Sequence, residues 1–236
     1  MLVVVFVASL IRSTFGFGEA LVAVPLLALM MPVRQAAPLA VLLSITIALV
    51  VVLQDWRKVH FRSAAGLLLA SALGTPFGLL LLRFVAPAAI RLALGVFLLL
   101  YCLWSLLGRV TWHPDRDPGF VLALCGFFAG VLGGVCGMNG PPLVIYGSLR
   151  HWSAPQFRAT LQAYFLPASL MVAVGYRATG LWTANVTHNY LLCLPVLAPA
   201  LVLGRYFNRR IDGARFQRML YIGLIAVALL LLCPSL

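Results

Sequence analysis

Charge is what this chain lacks most. Its 236 residues include five acidic side chains, and Glu19 is the only glutamate. Charged residues make up 9% of the total, against about 25% in an ordinary soluble domain, so the polar surface that water demands is missing. Cysteine is sparse as well. Cys102, Cys125, Cys136, Cys193 and Cys233 are scattered through apolar sequence with no C-x-x-C pair, which reads as small buried side chains rather than a disulfide frame or a metal site. There is no Walker loop, no H-E-x-x-H and no clustered His/Asp set, so enzymatic nucleotide or metal chemistry finds little to work with. Neither an enzyme activity nor a cofactor is expected. The first segment also lacks a basic n-region and a small-residue cleavage pattern, so it does not read as a cleavable signal peptide.

What the chain has in abundance is apolar sequence, 63% of all residues. Residues 35–54, 63–82, 92–108, 118–149, 159–176, 178–204 and 219–236 contain no Asp, Glu, Lys or Arg. A run of roughly 18 or more such residues reads as a membrane helix, so the expected class is an all-α integral membrane protein. The net charge of +12 would suggest nucleic acid in a soluble protein. Here most Lys and Arg stand between apolar runs, where cytoplasmic loops collect them, and the expected partner is the lipid bilayer.

Two segments are too long for one span. Residues 118–149 are 32 positions without charge, about 48 Å as a single helix against a hydrocarbon core of about 30 Å. Gly133, Gly134, Gly137, Gly140, Pro141 and Pro142 crowd its middle, and such residues loosen or interrupt a helix. The first 33 residues repeat the pattern around Arg12, Gly16, Gly18 and Glu19. An offset of 121 residues pairs Phe6 with Phe127, Ala8 with Ala129, Gly16 with Gly137 and Gln35 with Gln156. The chain therefore divides into a first repeat, 1–110, a short linker, 111–117, and a second repeat, 118–236. Each repeat holds one broken segment and three ordinary spans, about eight membrane segments in all.

Basic residues choose between topologies. If each broken segment is a re-entrant hairpin, the halves are inverted and twelve basic residues (Arg57, Lys58, Arg62, Arg109, Arg116, Arg150, Arg158, Arg205, Arg209, Arg210, Arg215 and Arg218) share one side. Arg34, Arg83, Arg91 and Arg177 fall on the other. If each broken segment crosses once, the bias shrinks to ten against six. The positive-inside rule favours two inverted repeats with both termini outside.

Interrupted segments in corresponding positions point to a transporter's binding site. Irregular backbone at membrane depth survives only inside protein or beside a water-filled cavity, and a half-helix that starts there offers free N–H groups and a positive dipole end. The candidate anion-binding residues are Arg12, Gly16, Phe17, Gly18, Gly137, Met138, Asn139, Gly140 and Gln162. The glycines admit close approach of an oxyanion, or else permit tight helix packing. Arg12 attracts the anion or snorkels to the interface. Glu19 is the proton-coupling candidate; the plainer readings are a static partner for Arg12 or a helix-start carboxylate. Asn139 donates to substrate or caps the second half-helix. Gln162, with Thr160, lines the cavity or bonds between helices. His188 reads as hydrogen-bonded or interfacial, and His60, His113 and His151 as interface anchors.

At the two breaks, GFGEALVAVPLL (Gly16–Leu27) and GMNGPPLVIYGSLR (Gly137–Arg150), the chain resembles the sulfite exporter TauE/SafE family, also called the 4-toluene sulfonate uptake permease family. FRATLQAYF (Phe157–Phe165) and TGLWT (Thr179–Thr183) are similar to the second half of one subgroup. The resemblance covers essentially the whole chain. It implies an inner-membrane carrier, an exporter, for a small anion such as a sulfur oxyanion or an organosulfonate, working by alternating access. A homodimer is kept as a partner expectation. Many members carry a longer glycine run where this chain has Glu19, and the second break has Asn139 and a Pro-Pro pair, so the particular anion is not carried over. An inside-negative potential supplies about 2.3 kcal/mol per charge per 100 mV towards anion export; import would need a driving ion, for which Glu19 is the obvious carrier. The alternatives are a cation, metal or proton-coupled carrier built on Glu19, and a membrane scaffold subunit that transports nothing.

Overall fold

The computed structural model describes residues 1–55, 59–107, 119–150 and 154–208, with isolated helical positions at 222, 224–226, 228–229 and 232. The proposed linker 111–117 lies outside the described residues, as do His113, His151 and Cys233. Among the described residues the chain is helical and contains no strand. The first half holds α1 (Leu2–Phe15), α2 (Glu19–Ala28), α3 (Val33–Asp55), α4 (Phe61–Phe84) and α5 (Pro87–Leu107). The second holds α6 (Gly119–Cys136), α7 (Gly140–Leu149), α8 (Ala154–Ala178) and α9 (Ala184–Asn208), followed by the helical positions in the last apolar run.

Six of these helices (α3, α4, α5, α6, α8 and α9) are long and apolar enough to cross a membrane. With α1 at 14 residues and α2 and α7 at 10 each, the remaining three span only about 21 and 15 Å, short of the hydrocarbon thickness. Both over-long segments are thus broken, at Gly16–Gly18 and at Gly137–Asn139. The boundaries recur at the same offset of 121: α1 ends at Phe15 and α6 at Cys136, α2 and α7 begin at Glu19 and Gly140, and α3 and α8 at Val33 and Ala154. Each first half-helix closes on a glycine in the left-handed region, Gly16 at φ 86° and Gly137 at φ 71°. Their N–H groups donate to the equivalent carbonyls of Arg12 (2.7 Å) and Gly133 (2.8 Å). A β-carbon would disfavour that backbone at both positions. The prolines lie elsewhere than expected, since Pro141 and Pro142 form the first turn of α7 rather than the gap, a position where a missing N–H is harmless.

The chain doubles back at the first break, which leaves the N-terminal amine of Met1 3.7 Å from Sδ of Met30. The central helices α3 and α8 run antiparallel: Ser44 pairs with Ser169, whereas the backbone N–H of His60, beyond the end of α3, reaches Thr160 near the start of α8. Helix α4 lies parallel to α6 along a glycine seam, with Gly126 against Leu67, Gly130 against Ser71 and Gly134 against Thr75. The corresponding contact across the other half puts α1 on α9, where Ser13 Oγ donates to the Leu201 carbonyl at 3.0 Å and Gly204 makes room for Ser13.

Burial follows membrane logic. On α4, Leu69, Leu73, Phe77 and Phe84 are exposed while Ser63, Ser71, Thr75, Gly74 and Gly78 are buried, so the large apolar side chains face outward and small residues meet protein. Cys102, Cys136 and Cys193 are buried free thiols and Cys125 is half-buried, as their spacing suggested. Arg34 turns back to donate to the carbonyls of Leu82, Arg83 and Val85 at 2.8–3.2 Å, satisfying the open end of α4.

Candidate functional site

The two breaks meet. One small cavity is lined by Arg12 of α1, by Phe17, Gly18, Glu19, Ala20 and Leu21 of the first break and α2, by Ser44 of α3, by Gly137, Met138 and Gly140 of the second break, and by Phe165 of α8. Its volume is about 20 Å³, room for roughly one water, so a larger anion enters only if the surrounding helices part. Seven of the ten site residues expected from sequence therefore line this one space.

Arg12 is its electrostatic centre, and it is not free. The residue is 3% exposed and Glu19 2%. Nη1 donates to Glu19 Oε2 and to Ser44 Oγ, both at 2.5 Å, and Nη2 donates to Gln162 Oε1 at 3.0 Å. The guanidinium carbon lies 4.9 Å from the centre of the Phe165 ring, a cation–π distance. Gln162 completes the frame by donating Nε2 to the Gly16 carbonyl at 2.8 Å, which satisfies the acceptor that the helix end leaves open. A snorkelling Arg12 is therefore not what the fold shows: Arg12 and Glu19 form a buried ion pair. Glu19 Oε1 is buried without a hydrogen-bond donor among the described residues.

Backbone donors come mainly from one side. Glu19, Ala20 and Leu21 precede the first bond of α2, which runs from Val22 N–H to the Gly18 carbonyl at 3.2 Å, so their N–H groups have no carbonyl within their own helix. The equivalent turn of α7 is Gly140-Pro141-Pro142, and two of those three residues have no N–H to offer. The first turn of α2 thus offers three such N–H groups and that of α7 one.

The other expected residues are placed as follows. Gly16 and Gln162 form the wall behind Arg12 through their mutual hydrogen bond. The ring of Phe17 meets that of Phe157 edge to face, centroids 6.0 Å apart. Asn139 is buried with its carboxamide against Gly133, where an added β-carbon would stand 3.0 Å from Nδ2. Thr160 accepts from His60 N–H, an interhelical role, and His188 is exposed. Ser44 and Phe165 were missed. Ser44 is one of only two hydroxyl side chains in the charge-free run 35–54, and Phe165 stands three residues after Gln162, on the same helix face, but neither feature ties its residue to Arg12. Among the described residues no three His, Cys, Asp or Glu side chains gather as a metal site.

The family profile described as Sulfite exporter TauE/SafE matches residues 1–231. A curated relative, the "Probable sulfite/organosulfonate exporter TauE" of Cupriavidus necator, is 26% identical over 184 residues, which cover 77% of this chain and 70% of the relative. No solved structure matches the chain.

Proposed function

The chain belongs to the Sulfite exporter TauE/SafE family, and from that premise we propose that it carries sulfite or organosulfonates outward across the membrane through the cavity between its two breaks. As a member it is a multi-pass membrane transporter rather than an enzyme, and an inner-membrane location agrees with its bacterial relative. The observation that carries the proposal is the convergence of both glycine-rich breaks on Arg12 in one buried space. The anion would sit between the N–H groups that open α2 and the guanidinium, where the helix dipole and fixed charge act in a water-poor setting.

Two inverted repeats provide the moving parts. Support comes from α3 and α8, which hold equivalent places in the halves and run antiparallel, and from the return of α2 to the side of Met1. Rocking of one half against the other would widen the cavity and expose it to each side in turn.

Gly140 provides the test. A β-carbon there would meet nothing within 4 Å and would project into space the substrate needs. The Gly140→Ala protein is expected to unfold at the wild-type temperature, while its flux of sulfite or ethanesulfonate in proteoliposomes drops by about tenfold or more. Undiminished flux in that variant would remove the cavity from the transport path.

A further inference from the structure

Glu19 holds the place at which an anion would meet Arg12. Its carboxylate opens α2, accepts from Arg12 Nη1 at 2.5 Å and is 2% exposed. Oε2 is engaged; Oε1 is buried without a donor, and the residue lines the cavity. The groups gathered around the pair are Ser44 from α3, Gln162 and Phe165 from α8, and Gly140 from α7. None of these is charged, so among the described residues Arg12 is the one charge that faces Glu19.

The site is thus electrically neutral when empty. An anion entering beside an ionised Glu19 would place two negative groups on one guanidinium in a setting that penalises net charge heavily. Protonation of Glu19 removes the conflict. The carboxylate becomes a carboxylic acid, Arg12 is released to the substrate, and a hydroxyl on Oε1 can donate into the cavity. No covalent bond of the substrate changes; one proton moves from solution to the carboxylate. With a monovalent anion the loaded site is neutral again, so both forms cross the bilayer interior without net charge.

Resting on the reading of this cavity as the anion site, we propose that Glu19 is a built-in counter-ion displaced by the substrate, so that each anion loaded at Arg12 brings one proton onto Glu19. The sign follows from linkage. The loaded form holds one proton more than the empty form, so acid favours loading, and affinity falls with rising pH by at most about tenfold per unit. Transport of a monovalent anion then responds to a pH gradient rather than to membrane potential.

Ethanesulfonate is a suitable probe, because it stays ionised and every proton taken up belongs to the protein. Calorimetric titration of the purified full-length transporter in two buffers of different ionisation heat counts protons bound per anion. Wild type is expected to take up about one proton per ethanesulfonate on the alkaline side of neutrality. Glu19→Gln is expected to bind the anion about tenfold or more tightly than wild type at the same pH, with no proton uptake and no pH dependence. Wild-type binding without proton uptake, at an affinity flat over roughly pH 6 to 9, would overturn the inference, as would a Glu19→Gln protein that keeps the wild-type pH dependence. If that variant does not fold, the wild-type proton count decides alone. Failure of wild type to bind either ethanesulfonate or sulfite at any pH would instead bring down the anion-site reading itself.

Discussion

A guanidinium that is 3% exposed requires a counter-charge and partners for its donors; both Nη atoms of Arg12 find them on three other elements, while Nε has no partner among the described residues. Glu19 has the same need and a single charged partner, so neither residue is tolerable without the other. Removing one member of a buried pair typically costs about 3–5 kcal/mol, whereas removing both is far milder. The Arg12→Ala and Glu19→Ala proteins should therefore each unfold at a clearly lower temperature in detergent, and the double variant should recover much of that loss. Flux should not recover, because the anion has lost its cation. A double variant that exports sulfite at the wild-type rate would reduce the pair to a structural tie. The same two residues mark how far sequence carries at this scale. Their isolation in apolar sequence flagged them both, yet their pairing was one option among several, because the seven-residue separation closes only once Gly16 and Gly18 turn the chain (φ 86° and 97°).

At the scale of elements, the seam between α4 and α6 is defined by absent side chains. A β-carbon on Gly130 would collide with the backbone carbonyl of Ser71, and one on Gly74 with that of Phe127; backbone cannot swing aside as a flexible side chain can. Gly130→Leu should force the two helices apart, at a cost of at least about 1–3 kcal/mol, and its midpoint in a thermal-shift assay should fall accordingly. Gly119→Ala, with open space around it, is the matched control and should leave the midpoint unchanged; equal midpoints for the two variants would show that the seam is loosely packed. Helices were the legible part of this fold. Apolar run length marked the spans, and glycine density marked both gaps to within a few residues. The partners of the gaps were not legible. Ser44 and Phe165 reach Arg12 only because α3 and α8 cross beside the first break, a tertiary fact with no local pattern. The role of Pro141 and Pro142 was misjudged for a related reason: proline both ends one helix and suits the start of the next, and the sequence carries both signals at once.

For the whole molecule, the arrangement of halves turns on which connections share a side. Charge bias alone is an uneven guide here, because Arg34, counted among the four basic residues on the sparse side, is held by three carbonyls at the end of α4 and has a local reason to be where it is. Geometry supplies an independent argument. Helices α3 and α8 begin at equivalent points, Val33 and Ala154, yet run in opposite directions, and a parallel pair of halves would align them. The two arrangements sort the connections differently. With inverted halves, Ala86 between α4 and α5 shares a side with Gly180 between α8 and α9, and Val59 shares the opposite side with Arg150. With parallel halves, Ala86 would accompany Arg150 and Val59 would accompany Gly180. Single cysteines at these four positions, in a protein otherwise freed of cysteine, can be labelled in intact cells with a membrane-impermeant maleimide. Labelling is expected at Ala86→Cys and Gly180→Cys, and at Val59→Cys and Arg150→Cys only after the membrane is opened. Joint labelling of Ala86→Cys with Arg150→Cys would contradict the inversion, and the rocking mechanism would lose the symmetry on which it depends.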